Sequence, residues 1–303
     1  MTESIVDAPT DARDLPADFE AFSVVVPVYN EEAAILGTLE KLHASLATCS
    51  IPCEIIVVDD GSTDRTPELL RGRDDVRVLR HERNRGYGGA LKTGIRHARH
   101  PLIVITDADG SYPNERIPDL VAHAVEADMV VGARTSENVE YSPIRSVPKW
   151  FLKRFAEWLT RRKIPDINSG LRVFRKEAVA RFLRILPDSF SFTTTITLAM
   201  LTNDYIVRFE PIDYHQRVGR SKIRPIRDTV RIALLILRTG MYFAPLRVFF
   251  PVSVGFGVAF AVSLFVDIVV RRDLTEATLV LLVAAAQLGM FALLADMIDK
   301  RNR

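Results

Sequence analysis

The sequence predicts an α/β protein: a mostly parallel sheet covered by helices, then amphipathic helices and a two-helix transmembrane hairpin. Three observations predict it. Short apolar runs alternate with helical patterns over the first part of the chain, three of those runs end in carboxylate-rich clusters, and two nearly uninterrupted apolar stretches follow near the C-terminus. The alternation places strands near 22–28, 54–59, 76–80, 102–106 and 128–132, the pattern of strands joined by crossover helices. The expected boundaries are a polar tail over 1–20, an α/β domain over 21–225, an amphipathic helix over 226–244 and a two-span anchor over 245–303.

A chain of 303 residues can bury a full α/β domain with a substantial segment left over. A net charge of +2 gives no global field that would favour nucleic acid. Cys49 and Cys53 match neither a zinc ribbon nor a disulfide framework, which suits a reducing cytosolic setting. The first twenty or so residues are polar and acidic, without the basic start or apolar stretch of a signal peptide.

The first strand, beginning at Phe22, runs through Pro27 into Tyr29, Asn30 and Glu31. The second, Ile55–Val58, runs into Asp59, Asp60, Gly61, Ser62, Thr63 and Asp64. The fourth, Leu102–Thr106, runs into Asp107, Ala108 and Asp109. Open α/β sheets bind ligands at the carboxyl ends of their strands. On a strand, carboxylates two residues apart point to one side, where Asp107 and Asp109 can share a hard divalent cation, Mg²⁺ or Mn²⁺, that holds a diphosphate. The competing reading is a turn with a helix cap, and the same choice applies to Asp60, Ser62 and Asp64. The glycine-rich stretch Arg85–Gly94 follows the third strand rather than the first, which weakens a dinucleotide reading and leaves close helix packing as the plain alternative.

Two amphipathic segments come next. Over Lys149–Arg162, Phe151, Leu152, Phe155, Trp158 and Leu159 recur at helical spacing with basic flanks. Over Ile226–Phe243, Arg227, Arg231 and Arg238 fall on one stripe. Both have the composition of a helix lying in a membrane interface, the alternative being a solvated surface helix. The apolar runs Val248–Val270 and Ala277–Ile298 are each long enough to cross a bilayer at roughly 20 residues. Gly255 and Gly257 suit close helix packing. Arg231, Arg238 and Arg247 precede the hairpin and Lys300, Arg301 and Arg303 follow it, whereas the connecting loop balances two arginines with two acids. The positive-inside rule then places the large domain and the C-terminus in the cytoplasm.

The three strand-end clusters, in this order, resemble the inverting glycosyltransferases of family 2, with a Rossmann-like GT-A fold. The resemblance covers about two-thirds of the chain. It implies a nucleotide-sugar donor, with Pro27, Tyr29, Glu31, Asp59 and Asp60 around the nucleoside, Lys92 approaching the diphosphate, and Asp107 and Asp109 as the metal pair. The segment Asp166–Arg175, with Asp166, Ser169, Gly170, Arg172, Phe174 and Arg175, is similar to one in the dolichol-phosphate mannose synthase and polyprenyl-phosphate branch, as is Gly219–Lys222. That branch commonly carries Gln two residues after the metal pair, where this chain has Ser111, so a hydroxyl or water replaces one ligand. The implied acceptor is polyprenyl phosphate, already ionised near neutral pH, which needs cations rather than a strong base. Arg134 and Arg145 are the leading candidates to grip it, with Ser169 on the acceptor side and Arg217, Arg220 and Lys222 closing over the phosphates. Asp109, Arg134, Arg145, Arg217 and Lys222 thus make up the expected catalytic set.

A processive polysaccharide synthase would carry a Q-x-x-R-W motif and more spans, and a nucleotidyltransferase would carry a glycine-rich basic loop after its first strand. Transfer to another lipid or polysaccharide, and an inactive membrane scaffold, stay open. The sugar and nucleotide are not legible, and a two-span anchor is compatible with self-association into a homo-oligomer.

Overall fold

A computed structural model describes residues 19–135, 153–214, 234 and 236–301. The chain divides into two compact units, Met1–Pro143 with Ile164–Ile223, and Ile144–Lys163 with Arg224–Arg303.

The first unit is built on seven strands: β1 (Phe22–Val28), β2 (Cys53–Asp59), β3 (Arg77–Arg80), β4 (Leu102–Ile105), β5 (Met129–Arg134), β6 (Arg172–Arg175) and β7 (Val207–Ile212). Their order is β3-β2-β1-β4-β6-β5-β7. Pairing is parallel except around β6, which runs antiparallel to both β4 and β5. Every residue of β1 and β4 is buried, as expected for strands covered on both faces by crossover helices. The helices are α1 (Ile35–Leu46), α2 (Thr66–Leu70), α3 (Tyr87–His97), α4 (Ile117–His123), α5 (Lys176–Ala180) and α6 (Phe192–Thr202). Between β4 and α4 lies a 3₁₀ turn, Asn114–Arg116.

The five expected strands are present with ends shifted by a residue or two. One shift matters: β4 ends at Ile105, so Asp107 and Asp109 sit on a turn rather than on the strand. Sequence pattern did not announce β6 or β7. Four residues with arginine at each end, Arg172-Val173-Phe174-Arg175, do not read as a central strand. β7 carries Arg208, Glu210 and Pro211 and is only half buried, as suits an edge.

The glycine-rich stretch does pack closely. A Cβ at Gly94 would lie 2.3 Å from the Val25 side chain, so α3 presses on β1 at a distance only glycine allows. The topology puts the carboxyl ends of β1, β2, β4 and β5 along one edge of the sheet. β1 lies between β2 and β4, so the chain reverses its direction of travel across the sheet there. That is the position where open α/β sheets form their ligand crevice.

In the second unit, α7 (Pro245–Val266) and α8 (Glu276–Arg301) form an antiparallel hairpin joined by a π-helical turn, Asp267–Arg271. Stretches of 27 and 23 residues qualify as spans, with mean hydropathy 2.2 and only 6% and 11% of the tested windows buried. A core helix of a soluble fold would be mostly buried, unlike these two. Gly255 and Gly257, expected at the helix contact, face open space. The close approach is made by Gly289, where a Cβ would meet the Ser253 hydroxyl at 3.1 Å. Ser253 also donates to the Ala285 carbonyl at 2.8 Å. At the turn, Asp267 is fully buried and accepts from the Thr275 amide and from the hydroxyls of Thr275 and Thr278, tying the turn to the start of α8. Of the two amphipathic segments, residues 153–160 and 236–243 are helical; Arg227 and Arg231 lie outside the described residues.

Candidate active site

The β1 and β2 ends are tied into one scaffold. The Asn30 amide donates to the Ser62 hydroxyl (3.0 Å), the Thr63 amide returns to Asn30 Oδ1 (2.8 Å), and the Glu31 amide donates to Thr66 Oγ1 (3.0 Å). Asn30 adopts φ 55°, a left-handed conformation that Asn tolerates well. Asp64 accepts from the Thr66 amide at 2.9 Å, at the first residue of α2, and from the Glu32 amide at 3.1 Å, so it ties the two strand ends together. Tyr29 is exposed and Pro27 buried.

Asp59 and Asp60 are almost wholly buried. Asp59 Oδ1 accepts from the Ser62 amide at 2.9 Å. Its Oδ2 lies 3.2 Å from Arg80 Nε but receives no well-directed hydrogen bond from the described residues. Asp60 accepts from the Arg85 and Gly86 amides (2.9 and 2.8 Å) and contacts His81 Nδ1 at 2.7 Å. It therefore holds the turn that leads into α3. Gly86 sits there at φ 92°, with room for no side chain against the Asp188 carbonyl. Lys92, expected near the diphosphate, is paired instead with Asp188 at 2.6 Å.

The metal pair occupies the turn after β4. Asp109 is buried, and its Oδ1 accepts from both the amide (3.0 Å) and the hydroxyl of Ser111. Ser111 thus orients an acid. Asp107 accepts from the Tyr87 hydroxyl at 2.8 Å. A Cβ at Gly170 would lie 2.9 Å from both Asp107 carboxylate oxygens, so the glycine keeps space at that carboxylate. Burial and the nearby Asp107 charge push the Tyr87 and Tyr112 hydroxyls well above the ordinary phenol range, which keeps both phenols neutral. Among the described residues no three His, Cys, Asp or Glu side chains converge on a metal position. Two carboxylates and a hydroxyl are nonetheless a hard, all-oxygen set, and Mg²⁺-type ions are commonly held by one or two carboxylates plus substrate phosphates. The residues fit such an ion.

Across the edge, charge is arranged differently. Arg134, at the end of β5, forms a fork with Asp166: Nε to Oδ2 at 2.7 Å and NH2 to Oδ1 at 3.0 Å. The guanidinium also lies 5.2 Å from the Tyr214 ring centroid. Burial works against charge on both partners, yet their pairing wins, raising the Arg134 pKa and lowering that of Asp166. Arg172 is fully buried and donates to the Ser169 carbonyl (2.7 Å), the Ile167 carbonyl (3.1 Å) and Thr197 Oγ1 (2.6 Å). Burial pulls its pKa down to about 10, which still leaves it charged at neutral pH. It pins the loop that carries Ser169 and Gly170. Ser169 is fully buried, and its hydroxyl has no hydrogen-bond partner among the described residues. The Gly170 amide donates to the Tyr112 hydroxyl at 2.6 Å, linking this loop to the metal turn.

The structure therefore brings Asp59, Asp60, Asp107, Asp109, Arg134 and Ser169 to one edge, with Tyr29 and Glu31 at the end of β1. Arg145, Arg217, Arg220 and Lys222 lie outside the described residues. Sequence reasoning assigned no role to Tyr87, Tyr112 or Arg172. Tyr87 lies inside the glycine-rich stretch, and an aromatic residue among glycines at a helix start was the available signal.

A family model described as glycosyl transferase family 2 matches residues 23–183, more than half of the chain, and one described as the GtrB C-terminal hairpin matches 244–300. An undecaprenyl-phosphate 4-deoxy-4-formamido-L-arabinose transferase of Pseudomonas aeruginosa is 35% identical over 173 residues, 55% of this chain and 51% of that protein. The chain thus matches about half the length of that relative. A dolichyl-phosphate hexose transferase of Haloferax volcanii is 30% identical over 227 residues, 73% of this chain and 94% of that protein. Glucosyl-3-phosphoglycerate synthase from Mycobacterium tuberculosis, solved with UDP, shares the fold at TM-score 0.55 and 19% identity, covering 73% of this chain and 79% of that one. With the strand-end motifs, the mixed sheet and the hairpin in agreement, the chain belongs to glycosyl transferase family 2, and its catalytic unit has the GT-A fold.

Proposed function

We propose that this protein is a membrane-bound inverting glycosyltransferase. It moves one sugar from a UDP- or GDP-linked donor to polyprenyl phosphate, undecaprenyl or dolichyl, at the cytoplasmic face. The observation that carries the reading is the Asp107–Asp109 turn beside the β1 switch point, in a family 2 chain that ends in an apolar hairpin. The names of the Pseudomonas and Haloferax relatives support the acceptor class. The basic flanks of the hairpin support the orientation.

Asp107 and Asp109 would hold Mg²⁺ or Mn²⁺, which when bound supplies Lewis-acid neutralisation of the departing diphosphate. A solved complex of the Mycobacterium synthase contains Mn²⁺ with UDP, which is consistent with a divalent ion in this fold. Tyr29, Glu31 and Asp59 line the nucleoside side, and Asp60 supports it by fixing the turn at Arg85 and Gly86. The acceptor phosphate is its own nucleophile, so no side chain has to remove a proton. Arg134 enters as half of a charge pair with Asp166 and frames the acceptor side. Arg145, Arg217, Arg220 and Lys222 are the proposed cations for the two phosphates. Ser169, being buried, serves the loop that carries it.

The test incubates purified protein with polyprenyl phosphate and a panel of labelled UDP- and GDP-sugars. The reading expects label in the organic phase for one sugar nucleotide. Hydrolysis without lipid product, or no turnover of any donor, would overturn it in favour of another acceptor or an inactive scaffold.

A further inference from the structure

We infer that Tyr87 is a positioning residue for Asp107, fixing the carboxylate that the proposed function assigns to the metal. The inference rests on that assignment and deepens it. Tyr87 is the first residue of α3, and its hydroxyl donates to Asp107 Oδ1 at 2.8 Å across 20 residues of sequence. The phenol is itself held on two sides. Its ring stacks on Phe190 at 5.3 Å between centroids and 15° between planes. Its backbone is clamped by the glycines around it. A Cβ at Gly86 would lie 2.3 Å from the Asp188 carbonyl oxygen, and one at Gly88 would lie 2.2 Å from the Pro187 carbonyl oxygen. The Gly89 amide donates to Asp188 O at 3.1 Å, and Lys92 closes the clamp through its ion pair with Asp188.

The helix start is thus locked to the 187–190 turn, and the lock sets where the phenol points. On another side Gly170 leaves the Asp107 carboxylate the room it occupies, and Arg172 and Tyr112 hold that glycine in place through the 166–170 loop. A carboxylate confined this way meets a cation without first losing rotational freedom. Groups that orient metal ligands typically account for about 10–100-fold in metal affinity. Phe190, 74% exposed, is spent on the stack rather than on the core, which explains a large aromatic left facing solvent.

The test is Mn²⁺ binding, read as loss of the free-ion paramagnetic resonance signal, on the full-length protein in detergent with UDP or with GDP present. Tyr87→Phe keeps the ring and its stack and removes only the donor. The expected result is Mn²⁺ affinity weakened about 10–100-fold, an unchanged thermal midpoint in chelator, and turnover restored by saturating Mn²⁺. Phe190→Ala, at an exposed position, provides a second variant that leaves the phenol in place. It should weaken Mn²⁺ several-fold, and this reading stands should Tyr87→Phe fail to fold. Wild-type Mn²⁺ affinity in a folded Tyr87→Phe protein overturns the inference alone. Absence of Mn²⁺ uptake by the wild type under both nucleotides overturns the metal assignment, and the inference with it.

Discussion

The two halves of the sheet's carboxyl edge hold charge in opposite ways. In the half formed by β1, β2 and β4, the described residues that donate to the carboxylates include several neutral groups: two amides for Asp60, an amide and a hydroxyl for Asp109, a phenol for Asp107. In the half formed by β5 and β6, guanidinium groups are held by Asp166 and by main-chain carbonyls. A neutral donor orients a carboxylate without itself cancelling the charge that a cation would meet. The Arg134 guanidinium has already spent its charge on Asp166, and Arg172, held by neutral acceptors, keeps its charge but is fully buried. That half therefore shapes the crevice, and the field for a second phosphate falls to Arg145, Arg217, Arg220 and Lys222 in our proposal.

The largest expected effect breaks the carboxylate half. Asp109→Asn removes charge at the metal turn and should lower transfer by roughly 10²-fold or more, since Lewis-acid stabilisation amounts to several kcal/mol. Its thermal midpoint in chelator should stay at the wild-type value, which calorimetry checks.

The next breaks the paired half. Asp166→Ala strands the largely buried Arg134 guanidinium and should cost about 3 kcal/mol in denaturant unfolding. Because pairing lowers the folded pKa of Asp166, its contribution is fully present above the ordinary carboxylate value of about 4. It is lost as pH falls through the lower folded value. The stability gap between wild type and Asp166→Ala should therefore be wide at neutral pH and narrow progressively below about pH 4.

Gly170→Ala tests the junction between the halves. A methyl group 2.9 Å from both Asp107 oxygens must move that carboxylate. About tenfold higher metal demand is expected in a Mn²⁺ titration of turnover. The smallest effect belongs to Arg65→Ala, which removes an exposed pair with Glu32. It should change unfolding free energy by less than about 0.5 kcal/mol.

The contrast also explains what was legible in the sequence. The carboxylate half is written locally: each cluster follows its apolar run within a few residues, so Asp59, Asp60, Asp107 and Asp109 stand out as strand-end carboxylates, while their roles came from the resemblance to family 2. Which atoms orient them could not. Tyr87 reaches Asp107, and Arg134 reaches Asp166, 32 residues away, only once the sheet brings their elements together. Lys92 looked available because Asp188, 96 residues later, is invisible to a local reading. The antiparallel β6 escaped for a related reason, since a four-residue strand with arginine at each end is explained only by the carbonyls and hydroxyl that receive Arg172. In the hairpin, composition revealed two spans, while the contact between them is made at Gly289 and not at Gly255 or Gly257.

The most direct test of this division is donor binding by calorimetry, run beside the acceptor dependence of transfer, on two variants. One is Asp109→Asn. The other is Arg134→Ala with Asp166→Ala, which removes both charges of the pair together. The account predicts that Asp109→Asn abolishes the metal-dependent part of nucleotide-sugar binding. The double variant should keep donor affinity and raise the polyprenyl phosphate concentration needed for half-maximal transfer. Loss of donor binding in the double variant, with acceptor dependence unchanged, would contradict it.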